Sequence, residues 1–134
     1  MPTLTLKVAP PQTPARYRQL AQALTTLTAQ LLGKRREVTA VIVDGLPAAQ
    51  WYVGGDELQR PTALLEISVT AGTNTAEEKA AFVSAAFAEL QHQLAEGGAL
   101  EEASYVVVRE LPASDWGYGG STQQARKRTP VQAK

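Results

Sequence analysis

Two stretches of this chain end alike. Leu46-Pro47-Ala48-Ala49-Gln50-Trp51-Tyr52-Val53-Gly54-Gly55 and Leu111-Pro112-Ala113-Ser114-Asp115-Trp116-Gly117-Tyr118-Gly119-Gly120 hold Leu-Pro, Trp and Gly-Gly at the same offsets over ten positions. Chance does not supply such a match, so the chain reads as two copies of one unit. The starts agree as well. Pro2-Thr3-Leu4-Thr5-Leu6-Lys7-Val8 stands against Pro61-Thr62-Ala63-Leu64-Leu65-Glu66-Ile67, each apolar or alternating over a strand's length.

Between start and ending, each copy carries a helix and a β-branched strand. The first helix begins at Thr13, an N-cap candidate followed by Pro14, and carries Tyr17, Leu20, Leu24, Leu27 and Leu31 on one stripe up to Gly33. The second begins at Thr75 with Glu78 completing a capping box, carries Val83, Phe87, Leu90 and Leu94, and ends at Gly97-Gly98. The strands that follow are expected over Val38 to Val43 and Tyr105 to Val108.

A β-α-β unit with a right-handed crossover leaves two parallel strands and one helix on one face. Neither copy covers its own sheet. The fold class expected is therefore α+β, with two tandem β-α-β units sharing a four-stranded mixed sheet and both helices on one side. The bare face needs a cover, which points to a symmetric oligomer. One domain is expected over residues 1–120, with repeats at about 2–58 and 61–120. Residues 121–134 hold Arg126, Lys127 and Arg128 among polar residues with no apolar periodicity, and read as a flexible basic tail.

Composition narrows the chemistry. Lys plus Arg is 13 and Asp plus Glu is 13, so no overall field draws the 134-residue chain to nucleic acid or an acidic membrane. There is no cysteine and a single histidine, His92, which is expected on the surface. Thiolate nucleophiles, Cys-type zinc sites and His-based triads are thereby excluded within one chain, and no metal is expected. No apolar run is long enough to span a bilayer and no signal pattern opens the chain, so the default is a soluble cytoplasmic protein.

Pro2 offers a different chemistry. Removal of Met1 makes it a secondary-amine N-terminus, a base that burial or a nearby cation pushes toward neutrality, where general bases work best. Pro61 lies within the chain and has no free amine, so it reads as a strand-start proline at a sheet edge.

These residues resemble the tautomerase superfamily, whose members use an N-terminal proline and pair β-α-β units; the resemblance runs from Pro2 to about Thr122. The Leu-Pro and Trp-x-x-Gly-Gly endings look like a duplicated, fused 4-oxalocrotonate tautomerase. Leu32-Gly33-Lys34, Val38-Thr39-Ala40-Val41, Pro61-Thr62-Ala63-Leu64, Tyr105 and Gly119-Gly120-Ser121-Thr122 look like the macrophage migration inhibitory factor branch. The resemblance implies a homotrimer and a cofactor-independent keto-enol tautomerase acting on small 2-oxo or 2-hydroxy-enoic acids. It makes Pro2 the catalytic base, Lys34 a pocket cation, and Tyr105 a pocket residue reaching in from a neighbouring subunit. Trp51 and Trp116 fall at the aromatic position that walls the pocket, with Tyr118 near its mouth.

The departures are also specific. The short tautomerases grip dicarboxylates with two arginines; the matching positions here are Gln12 and Ala40 in the first half, and the neighbourhood of Asn74 and Tyr105 in the second. Dehalogenase relatives need an arginine pair and a late carboxylate, where this chain has Thr73, Asn74 and Tyr118. The asparagine that follows the pocket tyrosine in the inhibitory-factor branch is Val107 here. Arg35, Arg36 and Arg109 remain alternates for the missing carboxylate binders. Plain structural readings stand beside the functional ones: Lys34 as a helix-end cation, Tyr105 as a half-buried strand residue, and both tryptophans as core or interface aromatics. The rival functions are a non-catalytic trimeric interaction module and, behind it, a hydratase or dehalogenase of unsaturated acids.

Overall fold

The computed structural model describes residues 2–127. β1 (Thr3–Ala9) leads to α1 (Pro14–Leu32), a single 3₁₀ turn at Arg36–Val38 and β2 (Ala40–Gly45). A second 3₁₀ turn, Ala48–Gln50, precedes the short strands β3 (Tyr52–Val53) and β4 (Asp56–Glu57). The second copy follows as β5 (Thr62–Thr70), α2 (Ala76–Ala95), β6 (Tyr105–Leu111), β7 (Gly117–Tyr118) and β8 (Ser121–Thr122), closed by α3 (Gln123–Lys127).

The main sheet has the order β2-β1-β5-β6. β1 runs parallel to β2, β5 parallel to β6, and the two pairs meet antiparallel along β1 and β5. The central register places Leu6 opposite Leu65. Those two leucines are repeat equivalents, at the offset that separates Pro2 from Pro61, so the repeat's two-fold passes through their pair. The same symmetry takes Thr5 to Leu64 and hence Ile42, the partner of Thr5, to Tyr105, the partner of Leu64. Ile42 and Tyr105 are each 63% exposed, as the symmetry requires.

Alternation along the strands sorts the two faces. Leu4, Leu6, Val8, Ala63, Leu65, Ile67 and Val69 are all fully buried against the helices. Thr3, Thr5, Lys7, Leu64, Glu66 and Ser68 look the other way, with Ile42 and Tyr105 at the flanks. Both helices therefore lie on one side, as the repeat predicts.

The helix ends follow their local chemistry. The Thr13 side chain accepts from the Arg16 N–H, Pro14 takes the first turn, and Gly33 closes α1 at φ 68°. Thr75 and Glu78 form a complete capping box on α2. α2 stops one step before its glycines, with Glu96 itself in the left-handed region at φ 40°.

The buried stripe of α2 differs from the sequence expectation. Phe82, Ala86, Leu90, Gln93 and Leu94 are buried, whereas Val83 is 38% exposed. The row is that of Leu20, Leu24, Thr28 and Leu32 on α1, because both helices meet the sheet at the same rotation from their caps. The strands also shift: the expected β-branched runs lie within Ala40–Gly45 and Tyr105–Leu111, the residues 36–38 having coiled into a turn. Pro61 is not at a sheet edge. It precedes β5, a central strand, and its carbonyl accepts the Glu101 N–H at 2.8 Å.

The chain beyond Gly120 also departs from expectation. Ser121–Thr122 pairs with β7, and α3 buries Gln123, so ordered structure extends through Lys127. The remainder of the expected tail, residues 128–134, lies outside the described residues.

Gly45 marks a tight contact between sheet and helix. A Cβ there would overlap the Tyr17 hydroxyl, which accepts the Gln12 N–H at 2.9 Å, and would sit 3.1 Å from Pro11 Cα. Gly45→Ala is therefore expected to cost about 1–3 kcal/mol, the usual range for overpacking. Urea melts of Gly45→Ala with and without Tyr17→Phe check it: removing the hydroxyl recovers part of the loss.

Candidate active site

Sheet topology divides the candidate residues between two ends. Pro2 lies at the start of β1, buried, with its carbonyl accepting the Ala40 N–H at 3.3 Å. β5 and β6 run the other way, so their ends, Thr70 and Leu111, register together beyond Ser68, the partner of Thr3. Everything after those two strands emerges at the Pro2 end: the Thr73-Asn74 turn from β5, and the Trp116 turn with the β7–β8 hairpin from β6.

Lys34 joins them from α1. Gly33 in the left-handed region turns the chain out of the helix and sends Lys34 inward, where it is only 6% exposed. Its ammonium donates to Thr73 Oγ1 at 2.8 Å, and the Thr73 hydroxyl in turn donates to the Thr70 carbonyl at 2.7 Å. Asn74 ties the same turn to α1 by donating to the Leu32 carbonyl at 3.0 Å. A buried lysine held this way is not the solvated helix-end cation of the plain reading. The cation stands at the sheet end that carries Pro2.

Trp116 is half-buried, and its indole N–H is buried without a hydrogen-bond partner. A cleft of about 280 Å³ opens beside it, bordered by Asp115, Ser121 and Thr122. Tyr118, in β7, packs its ring beneath the Arg126 guanidinium at 3.8 Å.

Trp51 and Tyr105 are elsewhere. Tyr105 registers with Leu64 and through it with Lys7, five residues along β1 from Pro2. That is about 17 Å at roughly 3.4 Å per residue. Trp51 follows β2, whose last residue registers with Val8, and so belongs to the Pro61 end. Neither residue reaches Pro2 within its own chain. The two tryptophans, alike in sequence, serve opposite ends of the sheet.

The arginines are occupied. Arg109, on the open face in the row of Ser68 and Thr3, pairs with Glu66. Arg36 donates to Thr26 Oγ1 at 3.0 Å and Arg35 lies 3.7 Å from Glu37. Gln12, at one missing-arginine position, folds onto its own turn through the Pro10 carbonyl. His92 is exposed. Among the described residues no cluster of His, Cys, Asp and Glu is placed to hold a metal, and no helix is long and apolar enough to cross a membrane.

Three residues at this end had no site role in the sequence: Thr73, noted only as a departure from the dehalogenase pattern, and Gln123 and Arg126, which fell in the expected tail. Thr122 was the available signal for the last two. Its hydroxyl accepts the Ala125 N–H at 3.0 Å, a threonine cap ahead of a short helix.

Comparison with known proteins agrees with this architecture. Residues 2–60 match the family model described as Tautomerase, tautomerase enzyme. No curated protein sequence matches the chain. Among solved structures, the wild-type Q0 fused 4-OT, a symmetric trimer, is 28% identical with a TM-score of 0.81, covering 94% of this chain and 99% of its own. A macrophage migration inhibitory factor-like protein from Entamoeba histolytica shares the fold at 19% identity and a TM-score of 0.72, covering 90% of this chain and 97% of its own. N1, a member of the cis-3-chloroacrylic acid dehalogenase family, shares it at 20% identity and 0.77, covering 90% and 82%. The proline-led first copy matches the Tautomerase family model, and both copies together superpose on a fused relative over nearly their whole length, so the chain has the tautomerase fold.

Proposed function

We propose that this chain is a cofactor-independent tautomerase that interconverts the enol and keto forms of small 2-oxo acids of the phenylpyruvate or 2-hydroxymuconate type. Pro2, freed of Met1, is the base. Its amine takes the proton from the 2-hydroxyl of the enol as the carbonyl forms, and the resulting secondary ammonium returns that proton to the substrate carbon. No atom is gained or lost. The Lys34 ammonium receives the carboxylate or the developing enolate oxygen, an interaction strengthened where water is excluded. Trp116 forms part of the apolar wall.

The observation that supports this most is the gathering of Pro2, buried Lys34 and the Trp116 turn at one end of the sheet, the end where a free amine is chemically possible. A homotrimer is part of the proposal. The Q0 relative is a symmetric trimer, and the helix-free face here leaves Ile42 and Tyr105 exposed. A neighbouring copy would bury that face and bring Tyr105 to a second subunit's Pro2.

Steady-state ketonisation of phenylenolpyruvate and 2-hydroxymuconate by the chain lacking Met1 tests the reading. Turnover of neither, with the terminus correctly processed, would sink it in favour of a non-catalytic trimer. Lys34→Gln is expected to lower kcat/KM by about 10- to 100-fold, the worth of a charged hydrogen bond, chiefly through KM. Thr73→Val, which leaves the ammonium but removes its holder, is expected to fall between Lys34→Gln and the parent.

A further inference from the structure

The two endings share a sequence but not a scaffold. Each makes a 3₁₀ or tight turn at its Leu-Pro, then the tryptophan, then a two-residue hairpin whose glycines both take positive φ. In the first copy the hairpin strand runs on through β4 into β5. In the second, α3 folds back on the ending at three successive points. The Gln124 N–H donates to the Ala113 carbonyl at 2.9 Å, and the Gln123 N–H to the Trp116 carbonyl at 2.9 Å. Arg126 donates to the Tyr118 carbonyl from Nη2 at 2.7 Å and from Nε at 3.2 Å, with its guanidinium stacked on the Tyr118 ring.

Gly119 makes this possible. A Cβ there would stand 2.6 Å from Arg126 Nη2. Its counterpart Gly54 has nearly the same φ, 64° against 61°, yet nothing lies within 4 Å of a Cβ built on it. The repeat therefore departs from its own symmetry at the ending that shares an end of the sheet with Pro2, and it does so by adding a clamp.

We propose that Arg126 is a positioning residue: through α3 it holds the Trp116 turn against the Pro2 end, and so sets how closely the aromatic wall meets the substrate. The planar fork of arginine suits this, since it bonds a carbonyl twice while covering a ring. The substrate side of the inference rests on the tautomerase reading; the clamp itself does not.

Two perturbations approach the contact from opposite sides. Arg126→Gln removes the fork, and Gly119→Ala pushes it away. Gly54→Ala reproduces the backbone strain with no clash and serves as the control. With Trp51→Phe leaving Trp116 as the sole indole, acrylamide quenching reads the turn directly. Both clamp variants are expected to raise the quenching constant about two- to threefold, as local opening would, while Gly54→Ala leaves it unchanged. In chains retaining Trp51, KM for phenylenolpyruvate is expected to rise about 5- to 10-fold with kcat within about twofold. Arg126→Lys should restore only part of either effect.

Quenching that is the same in Arg126→Gln, Gly119→Ala and Gly54→Ala overturns the clamp. Increased quenching with unchanged KM overturns its role at the substrate. If the unaltered chain turns over nothing, the tautomerase reading fails, and the quenching series still decides whether Arg126 holds Trp116.

Discussion

A form of the chain that keeps Met1 is expected to lose ketonisation by about 10²- to 10⁴-fold in kcat/KM, the usual worth of a positioned general base. In that form the Pro2 nitrogen is a tertiary amide, with neither a proton to give nor a basic lone pair. Pro2→Ala is a milder change. Alanine still offers a primary amine after Met1 is removed, but it lacks the ring that fixes φ and fills the buried site. Its loss is expected at about 10- to 100-fold, mostly in kcat, since the interaction removed belongs to the transition state. Intact mass separates the processed and unprocessed forms, and steady-state kinetics on each gives the two losses. Undiminished turnover by either would remove Pro2 from the mechanism.

Phe82→Ala is the largest expected loss of stability. The side chain is fully buried under the sheet, in the same core cluster as Leu20, Leu24 and Leu90 of the two helix rows. Removing a buried phenylalanine ring costs about 3–5 kcal/mol through lost transfer energy and the cavity left behind. Against a total stability of about 5–15 kcal/mol, that is roughly a fifth or more of what holds a domain of this size. Val83→Ala, one residue on, is expected to stay within about 0.5–1 kcal/mol because the valine is 38% exposed. Urea titrations of the pair discriminate the observed helix face from the one the sequence pattern favours. Equal losses would mean that α2 is rotated by one position from the face described.

That pair also shows where sequence legibility ends. α2 holds alanines at 80, 81, 85, 86 and 88, so Val83-Phe87-Leu90-Leu94 and Phe82-Ala86-Leu90-Leu94 both read as apolar rows. Only the angle at which the helix meets the sheet chooses between them, and that angle is a tertiary property. The caps were legible because they are local: Thr13 and Pro14, Gly33, and Thr75 with Glu78 each satisfy nearby backbone groups without reference to the rest of the fold. Strand order was not. Pro61 read as an edge proline because nothing in its neighbourhood reveals that β5 lies next to β1 at the centre.

The site was half legible for the same reason. Repetition announces two equivalent tryptophans, and only the antiparallel join of β1 and β5 assigns Trp116 to the Pro2 end and Trp51 to the other. Lys34 read equally well as a solvated cation, because its burial depends on Thr73, far along the chain. Gln123 and Arg126 were hidden by their company. A short polar helix has no apolar period to detect, and what orders it is the carbonyls of the preceding turn.

The central claim concerns one nitrogen, and the most direct measurement follows that nitrogen. In ¹⁵N-proline-labelled protein lacking Met1, the Pro2 amine resonance is separate from the proline amides and is titrated by NMR, beside the pH profile of kcat/KM for phenylenolpyruvate. The expected result is one titrating amine whose midpoint coincides with the acidic limb of the rate profile, since only the unprotonated amine accepts the enol proton. A midpoint well away from that limb, or active protein with no titrating proline amine, would contradict the account.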